Sequence, residues 1–179
     1  MPFTKTPIEN LFVFEPKIWK DERGYFFEAF NEKTFEEAGI KVKFVQDNQA
    51  FSQKNVIRAL HYQIAPFEQG KLVRVLQGEI LDVVVDIRPQ SATYGQWFSI
   101  RLSAENKKQL FVPRGFAHGY AVLSETAEVM YKCDNFYAKS CEGGILFNDP
   151  SLGIDWEIPL DQAMLSERDL NWPTLGHHR

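Results

Sequence analysis

The chain has 179 residues, 44% of them hydrophobic and 25% charged, which suits one globular domain over 1–179 and argues against disorder or a multidomain layout. Twenty basic against 24 acidic side chains leave a net charge of −4, so no bulk positive field holds a nucleic acid or an anionic membrane, and an anionic ligand must be gripped locally. The two cysteines, Cys133 and Cys141, have no CxxC spacing. Without a secretory pattern or the ~20-residue apolar run of a membrane span, the expected home is a reducing cytoplasm.

The aromatic load of 4 Trp, 6 Tyr and 15 Phe favours strands over helical bundles. Short alternating or β-branched runs predict strands at 10–15, 24–30, 42–51 and 56–64. One helix is predicted between them, capped by Asn31, filled by 34–38 and stopped by Gly39. The run 71–77 meets Gly78 and returns as 79–87, which reads as a hairpin. Further strands are predicted at 96–102, 108–112, 117–123 and 126–133, with loops at 88–95 and 113–115. The tail after Trp156 is expected to wrap the outside of the sheets, and 176–179 reads as a frayed end. The sum is an all-β sandwich or barrel with one or a few short helices.

Residues two apart in a strand share a face. Lys71 therefore heads a row with Val73 and Val75, Tyr131 lies beside Val129 and Ala127, and His118 lies beside Tyr120 and Val122. Ala59, His61 and Gln63 form another predicted row. An apolar interior that receives a Lys, a Tyr and two His from different strands has the make-up of a pocket. Taken singly, each has a plainer reading. His61 could be a bonded structural histidine, Lys71 could snorkel to solvent, Tyr131 could be an interior aromatic and 166–169 a solvated turn. A metal site is not expected, because Gln63 stands where a second same-face histidine would sit and His177 and His178 fall in the tail.

The segments Arg58-Ala-Leu-His-Tyr-Gln63, Gln69-Gly-Lys-Leu-Val-Arg-Val75 and Gly115-Phe-Ala-His-Gly-Tyr-Ala-Val-Leu-Ser124 resemble the dTDP-4-dehydrorhamnose 3,5-epimerase family. So do Asp21-Glu-Arg-Gly-Tyr-Phe-Phe-Glu28, Phe44-Val-Gln-Asp-Asn48, Ala127-Glu-Val-Met-Tyr-Lys132, Asn148-Asp-Pro150 and Leu165-Ser-Glu-Arg-Asp169. The resemblance implies a cupin-type jelly roll without metal or cofactor, usually a homodimer. Its substrate would be a dTDP-linked 4-keto-6-deoxyhexose, inverted at carbons 3 and 5. It implies His61 with Asp169 as the base dyad, Lys71 as the cation on the enolate and Tyr131 as the acid. Substrate contacts would fall to Arg23, Glu28, Gln46, Asp47, Asn48, Arg58, His118, Glu142 and Arg168, with Tyr137 stacking on thymine and Phe26 near the nucleotide. Ala59 stands where the family usually has Gly, Phe147 where Trp is common and Arg168 where Lys is frequent.

The chemistry fits these residue types. Hydrogens on carbons 3 and 5 both flank the carbonyl at carbon 4, so one electrophile serves both inversions. An imidazole titrates near neutrality, and a carboxylate on its far nitrogen fixes the tautomer. Paired arginine donors suit the diphosphate, and Arg23 and Arg58 are the natural clamps. Strict alternation sends Arg58 and His61 to opposite faces, so either a bulge separates them or Arg58 reaches the ligand around the strand end or from a neighbouring subunit. The alternatives in function are an epimerase acting at one carbon only, or a silent sugar-nucleotide binding module.

Overall fold

The computed structural model describes residues 2–178. Its elements are β1 (Phe3–Lys5), β2 (Phe12–Phe14), β3 (Trp19–Asp21), β4 (Gly24–Phe26), α1 (Glu32–Glu37), β5 (Gln46–Gln53), β6 (Ile57–Gln63), β7 (Lys71–Gln77), β8 (Glu79–Asp86), β9 (Trp97–Ser103), β10 (Gln109–Val112), β11 (Phe116–Val122), β12 (Thr126–Cys133), β13 (Glu142–Gly144) and α2 (Glu167–Leu170). A six-stranded sheet runs β1-β2-β10-β7-β12-β5 and a five-stranded sheet β13-β6-β11-β8-β9, while β3 and β4 pair only with each other. Alternation drives this layering. Val73, Val75 and Val129 from one sheet meet Ile80, Val84 and Val122 from the other in a core between the sheets. Leu81, Val83, Ala117 and Ala121 face outward and are covered by Ile145, Phe147, Leu152 and Trp156. The chain beyond β13 thus seals the five-stranded sheet, and the tail after Trp156 adds Ile158, Ala163, Leu165 and Leu175 to that cover, as expected; α1 seals the other sheet through Phe35 on Phe14, Leu72 and Phe111.

The helix begins and ends where its caps require. The Asn31 side chain accepts from the Lys33 and Thr34 amides, and Gly39 takes φ +83 just past the last turn. Three expectations need correction. The runs 71–77 and 79–87 do not form a hairpin. β7 pairs with β10 and β12 while β8 pairs with β11 and β9, so the chain turns a corner between sheets at Gly78. That residue has φ +77, and a Cβ on it would lie 2.1 Å from the Thr126 carbonyl oxygen. The predicted strands at 24–30 and 42–51 are also out of place: 27–30 and 42–45 are irregular, and β5 instead continues to Gln53. Finally, residues 175–177 form a turn rather than a frayed end, and His178 packs edge-on against Tyr62 at 5.7 Å; Arg179 lies outside the described residues.

The detail that shapes the site is a bulge in β6. His118 of β11 pairs with His61, but two residues on Tyr120 pairs with Arg58, so β6 carries one residue more than its partner over that stretch. Ala59 and Leu60 both turn to the outer core. Arg58 and His61 consequently face the same interior, and the predicted row of Ala59 with His61 is broken. Gly119 makes the bulge possible, because a Cβ there would sit 2.5 Å from the Ala59 methyl and 2.7 Å from the Arg58 carbonyl oxygen. Gly119→Ala is predicted to cost about 1–3 kcal/mol of stability, as overpacking does. It should also part Arg58 from His61, which denaturant unfolding and turnover measured together will test; an unaltered enzyme would show that the bulge tolerates a methyl.

Candidate active site

Between the sheets lies a cavity of about 360 Å³ lined by Gln46, Asn48, Ala50, Arg58, His61, Tyr62, Gln63, Gln69, Lys71, His118, Tyr120, Tyr131, Tyr137, Glu142 and Arg168. Its two walls come from different sheets. β6 and β11 supply His61 and His118, whereas β5, β7 and β12 supply Asn48, Lys71 and Tyr131. Groups that would act on opposite faces of a bound ring therefore start from opposite walls.

His61 is held from behind. Its Nε2 lies 2.7 Å from Asp169 Oδ1, and Nδ1 has no hydrogen-bond partner among the described residues, so it can exchange a proton with a ligand. Asp169 is the one buried residue of α2. The helix starts there because Ser166 caps it, accepting from the Asp169 amide at 3.2 Å. Burial opposes ionisation of Asp169. The His61 hydrogen bond, the Trp172 indole N–H at 3.3 Å and the Arg168 charge outweigh it and hold the carboxyl below its ordinary 3.8. Across the strand pair, buried His118 donates from Nε2 to Asp82 at 2.9 Å. Burial lowers its pKa despite that carboxylate, which keeps the ring neutral near pH 7.

On the facing wall, Lys71 makes no ion pair among the described residues, and its ammonium lies 5.9 Å from the Tyr131 ring centre. Burial pulls its pKa below 10.5, opposed by Cys133, Asp82 and Glu142. Burial pushes the Tyr131 phenol up to about 12, with Cys133 and Tyr120 adding to the effect, so it is a protonated donor at any physiological pH. An unpaired cation beside a neutral phenol, facing a carboxylate-backed imidazole, is equipped to form and quench an enolate.

The rim is a bonded network. Arg168 donates to Glu142 at 2.7 Å, and Tyr137 donates its hydroxyl to the same oxygen at 3.0 Å. Gln46 bonds Asn48 and accepts from the Tyr137 amide. Behind this rim Gln63 donates to the carbonyls of Phe67 and Phe136 and accepts from the Ala138 amide, pinning the loop that carries Tyr137.

Four expected contacts lie outside this cavity. Alternation in β5 turns Gln46 and Asn48 inward and Asp47 outward, where it pairs with Lys132 at 2.9 Å. Arg23 and Phe26 ride on the outlying β3–β4 ribbon, Arg23 tied to Asp21 and Phe26 exposed. Glu28 accepts from the Asn31 side chain and lines a separate groove with Trp19. Conversely, Gln63, Gln69, Tyr62 and Tyr120 line the cavity without having been singled out as contacts. For Gln63 and Tyr120 the signal was present, since each shares a row with a histidine. Trp172 carried no local signal at all. Among the described residues no group of three or more His, Cys, Asp or Glu is arranged to hold a metal, and no helix is long and apolar enough to cross a membrane.

Residues 5–177 match the family model described as dTDP-4-dehydrorhamnose 3,5-epimerase. The chain belongs to that family. It is 55% identical over 172 residues to the dTDP-4-dehydrorhamnose 3,5-epimerase of Shigella flexneri, covering 96% of this chain and 94% of that one. The crystal structure of dTDP-4-dehydrorhamnose 3,5-epimerase from Elizabethkingia anophelis superimposes with a TM-score of 0.94 at 51% identity, covering 97% and 96% of the two chains. A dTDP-6-deoxy-D-glucose-3,5-epimerase from Legionella pneumophila, solved with dTDP-4-keto-L-rhamnose, gives 0.93 at 49% identity, covering 98% and 93%. The jelly roll is thus that of the 3,5-epimerases.

Because Gln63 fastens the Tyr137 loop through three bonds, Gln63→Ala is predicted to raise KM several-fold while kcat changes less. Unfolding free energy should fall by about 1–3 kcal/mol. Steady-state kinetics beside denaturant unfolding will check this, and an unchanged KM would detach the loop from substrate binding.

Proposed function

We propose that this protein converts dTDP-4-dehydro-6-deoxy-D-glucose to dTDP-4-dehydro-L-rhamnose by inverting carbons 3 and 5 in the cavity between the sheets. The observation that carries this reading is the convergence of His61, Lys71 and Tyr131 on one cavity, with Asp169 bonded behind the imidazole. His61 Nδ1 takes the proton from carbon 3 or carbon 5, and the bonding electrons move onto the carbon 4 oxygen as an enolate. The Lys71 ammonium stabilises that oxyanion, an effect typically worth a few kcal/mol in a site shielded from water. Tyr131 returns a proton from the other wall, so the configuration inverts. Exchange with water then resets the imidazolium and the phenolate. Asp169 stabilises the imidazolium and holds its tautomer.

Arg58, brought to the interior by the bulge, and Arg168 at the rim supply cationic donors for the diphosphate, and exposed Tyr137 offers a stacking face for thymine. Arg23, Phe26 and Glu28 are assigned to the cavity of a second copy in a homodimer. The features that favour this are the exposed aromatics Trp19, Tyr25 and Phe26 on the β3–β4 ribbon, and β5, an eight-residue edge strand with Phe51 exposed. Cys133 and Cys141 are both free thiols, which suits a reducing cytoplasm. Residues 1–179 are taken as one domain.

Incubation with substrate in deuterated water, followed by proton NMR, is expected to place deuterium at both carbons. Label at one carbon only would make the protein a single-site epimerase, and label at neither would make it a binding module. His61→Ala should abolish exchange while dTDP affinity falls much less. The alkaline limb of kcat/KM is predicted below pH 10.5, because Lys71 loses its charge below the ordinary lysine value. Tyr131, near 12, contributes nothing to that limb, and a profile flat beyond pH 11 would remove the charged lysine from the mechanism.

A further inference from the structure

Behind the dyad stands a third group. The Trp172 indole N–H donates to Asp169 Oδ1 at 3.3 Å, the same oxygen that bonds His61 Nε2. The indole also meets the His61 ring edge-on, with centroids 6.3 Å apart, and carries the Arg168 guanidinium 5.8 Å from its ring centre. Its placement is built in. Gly144 pairs in register with His61, and a Cβ on Gly144 would lie 2.4 Å from the indole, so the ring rests where only a glycine leaves room. The backbone is fastened on both sides, by the Asn171 amide to the Arg168 carbonyl at 3.1 Å and by the Leu146 amide to the Pro173 carbonyl at 2.9 Å.

We propose that Trp172 is a positioning residue that tunes the strength of the His61 base through Asp169. The inference rests on the reading of His61 as that base. A carboxylate oxygen that accepts two N–H groups shares its charge between them and pulls less on the imidazole proton. With the indole N–H removed, Asp169 binds the protonated imidazole more firmly, so His61 holds its proton to higher pH. At the same time the carboxylate loses a fixed contact, and the imidazole is less well aimed. The other charged or titratable groups facing the pair are Arg168 on α2, Arg58 on β6, Glu142 on β13 with Tyr137 before it, His118 and Tyr120 on β11 with Asp82 on β8, and Lys71 and Tyr131 on the facing wall. None of these residues is itself replaced in the substitutions below.

Trp172→Phe keeps a ring over Gly144 and deletes the donor. Gly144→Ala keeps the donor and displaces the ring. Both are to be compared with the wild-type full-length protein by NMR titration of the His61 imidazole, which needs no substrate, and by the pH profile of kcat/KM. In both variants the His61 midpoint is expected to move to higher pH, with the acid limb of the profile following it. The kcat should fall several-fold at little change in KM. A purely structural role would lower thermal stability and leave the midpoint in place. A midpoint unmoved or lowered in Trp172→Phe overturns the proposal. Absence of solvent exchange in the wild type would instead overturn the epimerase reading, and the titration would still decide whether Trp172 tunes His61.

Discussion

The hydrogen bond from His61 to Asp169 joins residues 108 positions apart and ties the inner face of one sheet to a four-residue helix that would have little reason to exist alone. Helices that short are marginal in water. This one is held by the Ser166 cap, by the burial of Asp169 and by the segment running on through Trp172. The bond therefore works in both directions: it orients the imidazole, and it fastens the C-terminal segment to β6. Much of what surrounds it, from Gly144 to the Arg168–Glu142 pair, allows that segment to lie close.

A second constraint is geometric. Inversion at carbon needs a base and an acid on opposite faces of the ring, and a two-sheet sandwich provides two facing walls. His61 and His118 stand on the five-stranded sheet and Lys71 and Tyr131 on the six-stranded one. The electrostatics divide the same way. The imidazole is backed by a carboxylate. The lysine lies opposite with no ion partner among the described residues, and the neighbouring phenol is too buried to ionise.

How far this could be read from the sequence depended on whether the determining contact was local. The period-two rows of Lys71-Val73-Val75 and Tyr131-Val129-Ala127 carry their own register, and both point inward as read. The helix cap at Asn31 and the stop at Gly39 are equally local. The corner at Gly78 is not legible locally, because a glycine between two strand-like runs signals a turn without saying whether the partners lie in one sheet or two. The β6 bulge is not legible in β6 alone, because it is set by Gly119, sixty positions from Ala59. The three-residue strands β1, β3 and β13 exist only by pairing, and Trp172 gains its meaning only from the fold of the tail. The family motifs contain His61, Asp169, Lys71 and Tyr131, whereas Trp172 and Gly144, which pack behind the imidazole and its carboxylate, lie outside those motifs.

The most direct test of the account is a crystal structure of this protein with an intact dTDP-4-keto-6-deoxyhexose or a non-enolisable mimic. The carbon 4 oxygen should lie within about 3 Å of the Lys71 ammonium, with His61 Nδ1 and the Tyr131 hydroxyl on opposite faces of the ring. A hexose bound outside the cavity, or with both groups on the same face, would contradict it.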